Sequence, residues 1–244
     1  MESKPKKKKP PKVYKVKDPE KDNRFEDIHE NLPAMPSLLL IIGSVRSSKS
    51  NLIVNLLCSP EMFLNKFDIV KVVSSTLHSC PKGKIMNKYF DATSEYSDQI
   101  IEDIKTSQSQ YDAIDRPTFC LVADDILTQD FSKNNALSFF ATRFRHYIDF
   151  FIIATQSFRA VSGLIRNNAT DIIITKQQNQ KELMKIIEEY GSMFPSSDGA
   201  GDGEKNLLKM YQEAHKERYS FLYLKLSENP PHAFIQFTTQ IYPK

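Results

Sequence analysis

The sequence has no tryptophan, seven glycines and three cysteines in 244 residues. Cys58, Cys80 and Cys120 are odd in number and widely spaced. That argues against a disulfide framework and fits a reducing compartment. His78 and Cys80 lack a second ligand pair at suitable spacing, so no zinc pattern is visible. No apolar run approaches the roughly 20 residues that a membrane-crossing helix needs. The first residues are charged and carry no apolar h-region, unlike a secretory signal. The expectation is therefore a protein that is neither secreted nor embedded in a membrane.

What remains is ordinary for a globular α/β chain: 40% hydrophobic and 26% charged residues, enough for one domain with a sizeable core. The net charge of +3 is unevenly placed. Residues 1 to 24 hold ten bases against four acids, so the rest is slightly acidic. Residues 1–30 are Lys- and Pro-rich with few core formers, and are expected to form a disordered basic arm. Such an arm would contact nucleic-acid phosphates, act as a localisation signal or simply solubilise the chain. The compact domain is expected over 31–244.

Along that domain, short apolar segments alternate with helical periodicity. Leu38–Ile42, Phe67–Val73, Pro117–Ala123, Phe150–Ala154 and Asp171–Thr175 read as strands. Lys49–Cys58, Ser97–Ser107, Ser132–His146, Ala160–Asn168, Gln180–Tyr190 and Glu204–Arg218 read as helices, with Ser132 as an N-cap. Residues 74–95 look irregular, and 195–203 look like a flexible glycine-rich loop. Ser220–Leu226 and Ala233–Phe237 read as a terminal strand pair. Several strands are apolar throughout rather than alternating. This predicts a mainly parallel sheet covered by helices on both faces, with ligands bound at the carboxyl ends of its strands.

Three of those strand ends carry polar groups that one reaction needs together. The first apolar run stops at Gly43, followed by Ser44, Val45, Arg46, Ser47, Ser48, Lys49 and Ser50 and then a helical run beginning with Asn51. This has the layout of a phosphate-binding loop, Gly-x-x-x-x-Gly-Lys-Ser/Thr, with Ser48 in the second glycine position. Gly43 would let the backbone turn out of the strand. Loop N–H groups and the helix N-terminus would cradle phosphate. Lys49 would reach the β- and γ-phosphates, and the Ser50 hydroxyl would hold Mg2+. The second strand end is Asp124-Asp125. Asp124 would hold Mg2+ opposite Ser50, and Asp125 would orient and polarise the attacking water. The third is Gln156, whose carboxamide both donates and accepts and so could sense a γ-phosphate or position water.

Beyond these groups, Ala154-Thr155-Gln156, the helix containing Gly163-Leu164-Ile165, Asn168 and the strand from Asp171 resemble the segment after the third motif of the FtsK–HerA superfamily of DNA-pumping ATPases. Thr142-Arg143-Phe144-Arg145-His146 resembles a segment of the poxvirus-type genome-packaging ATPases of large DNA viruses and virophages within it. The resemblance covers roughly residues 37–176. It implies a three-layer P-loop NTPase of the RecA/ASCE-like type, with ATP and Mg2+ as cofactors. It also implies a ring, usually hexameric, that moves double-stranded DNA into a capsid, in the cytoplasm of an infected cell or in the virion, with capsid proteins as further partners. Arg143 or Arg145 would then be an arginine finger reaching a neighbour's γ-phosphate. Two other functions stay open on the residues alone: a small P-loop nucleotide or nucleoside kinase, and a non-catalytic DNA-binding assembly protein.

Overall fold

The computed structural model describes residues 23–112, 114–126, 135–195 and 202–243. Most of the basic arm, the expected cap at Ser132 and the middle of the 195–203 loop lie outside the described residues. Residues 23–30 pack against the body. Arg24 donates to the Arg116 carbonyl at 2.8 Å, and the Phe25 ring lies 5.7 Å from that of Phe67.

Among the described residues six strands run parallel: β1 (Ser37–Ile42), β2 (Ile69–Ser74), β3 (Asp91–Thr93), β4 (Phe119–Asp124), β5 (Phe150–Thr155) and β6 (Asp171–Ile174). Three more, β7 (Leu222–Lys225), β8 (His232–Ile235) and β9 (Thr239–Ile241), continue the sheet antiparallel. The order is β3-β2-β4-β5-β1-β6-β7-β8-β9. The expected terminal pair is thus a three-stranded meander. Among the described residues the α-helices are α1 (Lys49–Cys58), α2 (Pro81–Tyr89), α3 (Asp98–Gln108), α4 (Ala136–Ala141), α5 (Gly163–Asn168), α6 (Gln180–Tyr190) and α7 (Gly203–Ala214).

The apolar strands are explained by cover on both faces. In β1, Leu38, Leu40 and Ile42 enter one core with Phe140, Ile186 and Leu207. Leu39 and Ile41 enter the other with Ile53, Leu56 and Met86. All five of these aliphatic side chains are fully buried. At about 1.5–3 kcal/mol per buried aliphatic side chain, this strand is a principal contributor to the core.

Two local expectations are corrected. Residues 74–95 are not irregular throughout, since they contain α2 and β3. Cys80 caps α2, its sulfur accepting from the Gly83 amide at 3.2 Å, and Pro81 occupies the first turn. Only Gly83 and Met86 of this helix are buried, so its apolar periodicity is faint. The helix expected over 132–146 is shorter. Asn135 caps it, its side chain accepting from the Ser138 amide at 2.9 Å. The backbone leaves helical geometry at Arg143, where φ is −132° and a 3-10 turn follows over Phe144–His146.

The register aligns the strand ends that matter. Ser74 pairs with Asp124, Asp124 with Ala154, and Ala154 with Ile41. The chain leaves β1, passes over β5 and β4 to reach β2, and later returns to β1's other side as β6. This reversal opens a crevice beyond the carboxyl end of β1.

Candidate functional site

Gly43 leaves β1 with its amide bonded to the Thr155 carbonyl at 3.1 Å, and the Ser44 amide bonds the Lys176 carbonyl at 3.2 Å. The loop is thereby pinned to the ends of both neighbouring strands. The need for glycine at 43 is one of space. A Cβ there would lie 1.6 Å from Thr175 Oγ1 and 2.5 Å from Ser47 Oγ. Those two hydroxyls bond each other at 2.7 Å across the glycine.

The unusual backbone lies further along the loop. Arg46 has φ 60° and Ser48 has φ 74°, both in the left-handed region. Ser48 therefore adopts the conformation for which glycine is the natural choice. It is also the N-cap of α1, with no side-chain cap bond. Its carbonyl accepts from the Leu52 amide at 2.9 Å, so the helix starts here regardless. First-turn amides have no partner within a helix, and Lys49, Ser50 and Asn51 of this turn line a cleft.

Lys49 is buried. Its ammonium donates to the Gly43 carbonyl at 2.9 Å and the Ser44 carbonyl at 3.3 Å, and lies 3.9 Å from Asp125 Oδ1. Burial lowers its pKa from the usual lysine value, opposed by the charges of Asp125 and Asp124. Ser50 Oγ donates to Asp124 Oδ2 at 3.1 Å, and Ser74 Oγ donates to the same oxygen at 3.0 Å. Asp124 is fully buried, and its Oδ1 has no hydrogen-bond partner. Burial first, then the neighbouring Asp125, raises its carboxyl above the ordinary carboxylate range.

An unsatisfied buried carboxylate oxygen beside a hydroxyl is a half-built cation site. Mg2+ takes oxygen donors, needs few from protein and keeps waters or phosphate oxygens for the rest. Ser50 and Asp124 fit that demand. Among the described residues there is no cluster of three or more His, Cys, Asp or Glu that could hold a metal ion.

Asp125 also has left-handed backbone, φ 52°. Its amide is bonded to the Ala154 carbonyl at 2.9 Å. Its Oδ2 accepts from Gln156 Nε2 at 3.1 Å. Gln156 is exposed at the end of β5, and the turn after it is held by Glu182, whose Oε2 accepts from the Phe158 amide at 2.8 Å.

The structure thus brings Lys49, Ser50, Asp124, Asp125 and Gln156 together at one edge of the sheet. A cleft of about 870 Å3 follows the loop, lined by residues 45–51 as well as Asp125 and Gln156. Arg143 and Arg145 are exposed and do not line it. They sit on the turn entering β5, near the His146 carbonyl that accepts from Arg116 at 2.6 Å, at the amino edge of the sheet.

Several residues of the site were not identified from sequence. Ser74 ends β2, is fully buried beneath the cleft's carboxylates, and its alignment with Asp124 emerges only from strand register. Lys82, Tyr219, Phe221 and Gln236 line the cleft itself. They come from segments distant in the chain and carry no motif.

No protein-family model and no curated protein matches the sequence. Solved structures do share the fold. The DNA-packaging ATPase B204 from Sulfolobus turreted icosahedral virus superposes with a TM-score of 0.57 at 17% identity, over 82% of this chain and 98% of that one. The genome packaging NTPase B204 from Sulfolobus turreted icosahedral virus 2 in complex with ATP-gammaS gives 0.54 at 17%, over 82% and 97%. Its complex with AMP gives 0.54 at 15%, over 82% and 96%. The chain therefore has the mainly parallel α/β fold of these packaging NTPases. That fold agrees with the mainly parallel α/β sheet expected from the sequence.

Proposed function

We propose that this chain is an ATP-hydrolysing motor that moves double-stranded DNA, packaging a viral genome into a capsid. One observation carries the proposal. A phosphate-loop lysine, a hydroxyl–carboxylate pair and a second carboxylate bonded to a glutamine converge on one cleft, at 3.9 Å or less between partners. Hydrolysis needs those parts together. The likeness of fold to packaging NTPases supports the choice of substrate and task.

In this reading the loop amides and the α1 N-terminus bind the triphosphate. Lys49 leaves the Gly43 and Ser44 carbonyls to neutralise the β- and γ-phosphates. Ser50 and Asp124 would hold Mg2+, which would neutralise charge on the phosphate oxygens. Asp125 orients a water and takes its proton as that water's oxygen attacks the γ-phosphorus. The bond from the γ-phosphorus to the bridging oxygen breaks, and ADP leaves. Gln156 shares Asp125 before the substrate arrives and so is placed to report the γ-phosphate. Arg143 or Arg145 serves a neighbouring subunit in a ring, for which six is the number that the resemblance implies. Capsid proteins are further partners, and the site of action is the infected cell's cytoplasm or the virion. Among the described residues no helix is long and apolar enough to cross a membrane.

Phosphate release by the purified chain, with and without duplex DNA, tests this. Hydrolysis stimulated by DNA and abolished by Lys49→Ala and by Asp125→Ala is expected. Undiminished hydrolysis in both variants would overturn the mechanism, and phosphate transfer to a nucleoside would replace it with a kinase.

A further inference from the structure

The sheet order gives the cleft a direction. The catalytic pair Asp125 and Gln156 follows β4 and β5, on one side of β1. A triphosphate on the loop after β1 must turn its last phosphate toward that pair. Its nucleoside then points the other way, over β6 and beyond. There the antiparallel strands return the chain to the same edge. Leu222 at the start of β7 pairs with Ile235 at the end of β8. The residues just before β7 and just after β8 therefore stand beside the loop, and Tyr219, Phe221 and Gln236 all line the cleft.

Tyr219 is 63% exposed and holds φ 66°, a costly backbone conformation for a bulky residue. Gln236 is likewise left-handed, at φ 56°. The Arg218 guanidinium lies over the Tyr219 ring, 4.7 Å from its centroid, and steadies it. Phe221 is fixed from behind by Phe237, with ring centroids 5.2 Å apart, and the Gln236 amide is bonded to the Phe221 carbonyl at 3.0 Å. Strained, exposed aromatic presentation beside a phosphate site has no packing purpose.

Resting on the phosphate-loop assignment above, we infer that Tyr219, with Phe221 behind it and the Gln236 carboxamide at its rim, forms the platform on which the nucleotide base stacks. Tyr219 also walls a smaller cleft of about 470 Å3 with Arg46, Lys176 and Arg218, and the base takes the ring face that Arg218 leaves open. Phosphate and base are thereby bound by separate parts of the chain: the loop takes the charge, and the β7–β8 edge takes the ring.

Calorimetric titration of the full chain with ATP and, separately, with inorganic tripolyphosphate tests the inference, both with Mg2+ present. Tyr219→Ala should weaken ATP binding on the order of 10-fold, the loss of one base–aromatic stack, and leave tripolyphosphate binding unchanged. Tyr219→Phe should retain ATP affinity. Tyr219→Gly, which suits the left-handed backbone, keeps the fold intact and should show the same selective loss. Equal weakening of both ligands, or no weakening of ATP, would overturn the base platform. Lys49→Ala should weaken both ligands. If it weakened neither, the phosphate-loop assignment would fall, and this inference with it, by a result distinct from the Tyr219 series.

Discussion

Ser48→Gly should stabilise this protein, and the structure says by how much. Ser48 has φ 74° and ψ 15°, and its side chain makes no cap bond. A left-handed conformation costs a non-glycine residue roughly 1–2 kcal/mol, which glycine would not incur. Against that, glycine loses more backbone freedom on folding, about 0.5–1 kcal/mol. Exchanging serine for glycine at an N-cap costs only a few tenths even where the cap bond exists. The net gain is about 0.5–1 kcal/mol, or ~1–4 °C in midpoint for a domain of this size. Ser48→Ala is the control, because it removes the hydroxyl and keeps the strain. Thermal unfolding followed by circular dichroism should rank Gly above Ser, with Ala no higher than Ser. ATP affinity in Ser48→Gly should be preserved or raised, since the amides keep their present directions. If glycine is no more stable than alanine, or if ATP affinity falls markedly, the left-handed loop is not the phosphate-binding conformation.

Gly43→Ala should destabilise strongly, by about 2 kcal/mol or more, since its Cβ would meet Thr175 Oγ1 at 1.6 Å; urea unfolding measures this, and a neutral result would mean the Thr175–Ser47 bond moves freely. Asp125→Asn should fold normally, because asparagine tolerates the φ of 52° seen there, and should keep ATP binding while losing hydrolysis by roughly 10²–10⁴-fold; retained turnover in a phosphate-release assay would remove Asp125 from the chemistry. Asp124 has a raised pKa from burial and from Asp125, so its ionised form costs stability above the ordinary carboxylate range, and that cost vanishes as pH falls below it. With chelator present, the stability of Asp124→Asn relative to the parent should therefore be highest near neutral pH and decline toward acid; a difference independent of pH would show that the buried charge is not what Asp124 contributes.

Much of this architecture was written in local pattern. Lys49–Cys58 and Gln180–Tyr190 have strong helical spacing, and their observed bounds match the expected ones. The strands Leu38–Ile42 and Phe150–Ala154 were legible because burial on both faces demands unbroken apolar runs. Helix α2 was not, since only two of its residues reach the core and its start is set by a cysteine cap. β9 was missed because Thr239–Ile241 is short and no residue of it is fully buried. At the site, the loop and the two strand-terminal motifs each stand within a few residues of sequence. One partner of Asp124 does not: Ser74 meets it only through the β2–β4 register. Gly43 was identified for its freedom to turn, whereas Thr175, far along the chain, imposes the actual constraint.

The same sheet order that points the nucleotide across β6 also decides what Arg143 and Arg145 can do. Both lie on the turn into β5, where the following Asp149 carbonyl accepts from the Ser37 amide at 2.9 Å, beside the first residue of β1. The phosphate loop leaves the far end of that strand. These arginines therefore cannot reach their own chain's cleft without unfolding the edge between them, and a finger role requires a second copy. Complementation separates the cases. The double variant Arg143→Ala, Arg145→Ala has an intact loop and no finger, whereas Lys49→Ala has a defective loop and intact arginines. Each alone should hydrolyse poorly, the finger loss alone costing on the order of 10³–10⁵-fold where such fingers operate. Mixed, they form interfaces that join an intact loop to an intact arginine, and phosphate release should rise well above either parent. A mixture as inactive as its components, with light scattering showing that the two variants do assemble together, would remove both arginines from catalysis and leave Arg46 and Lys82, which line the cleft in the same chain, as the cations available to the γ-phosphate beside Lys49.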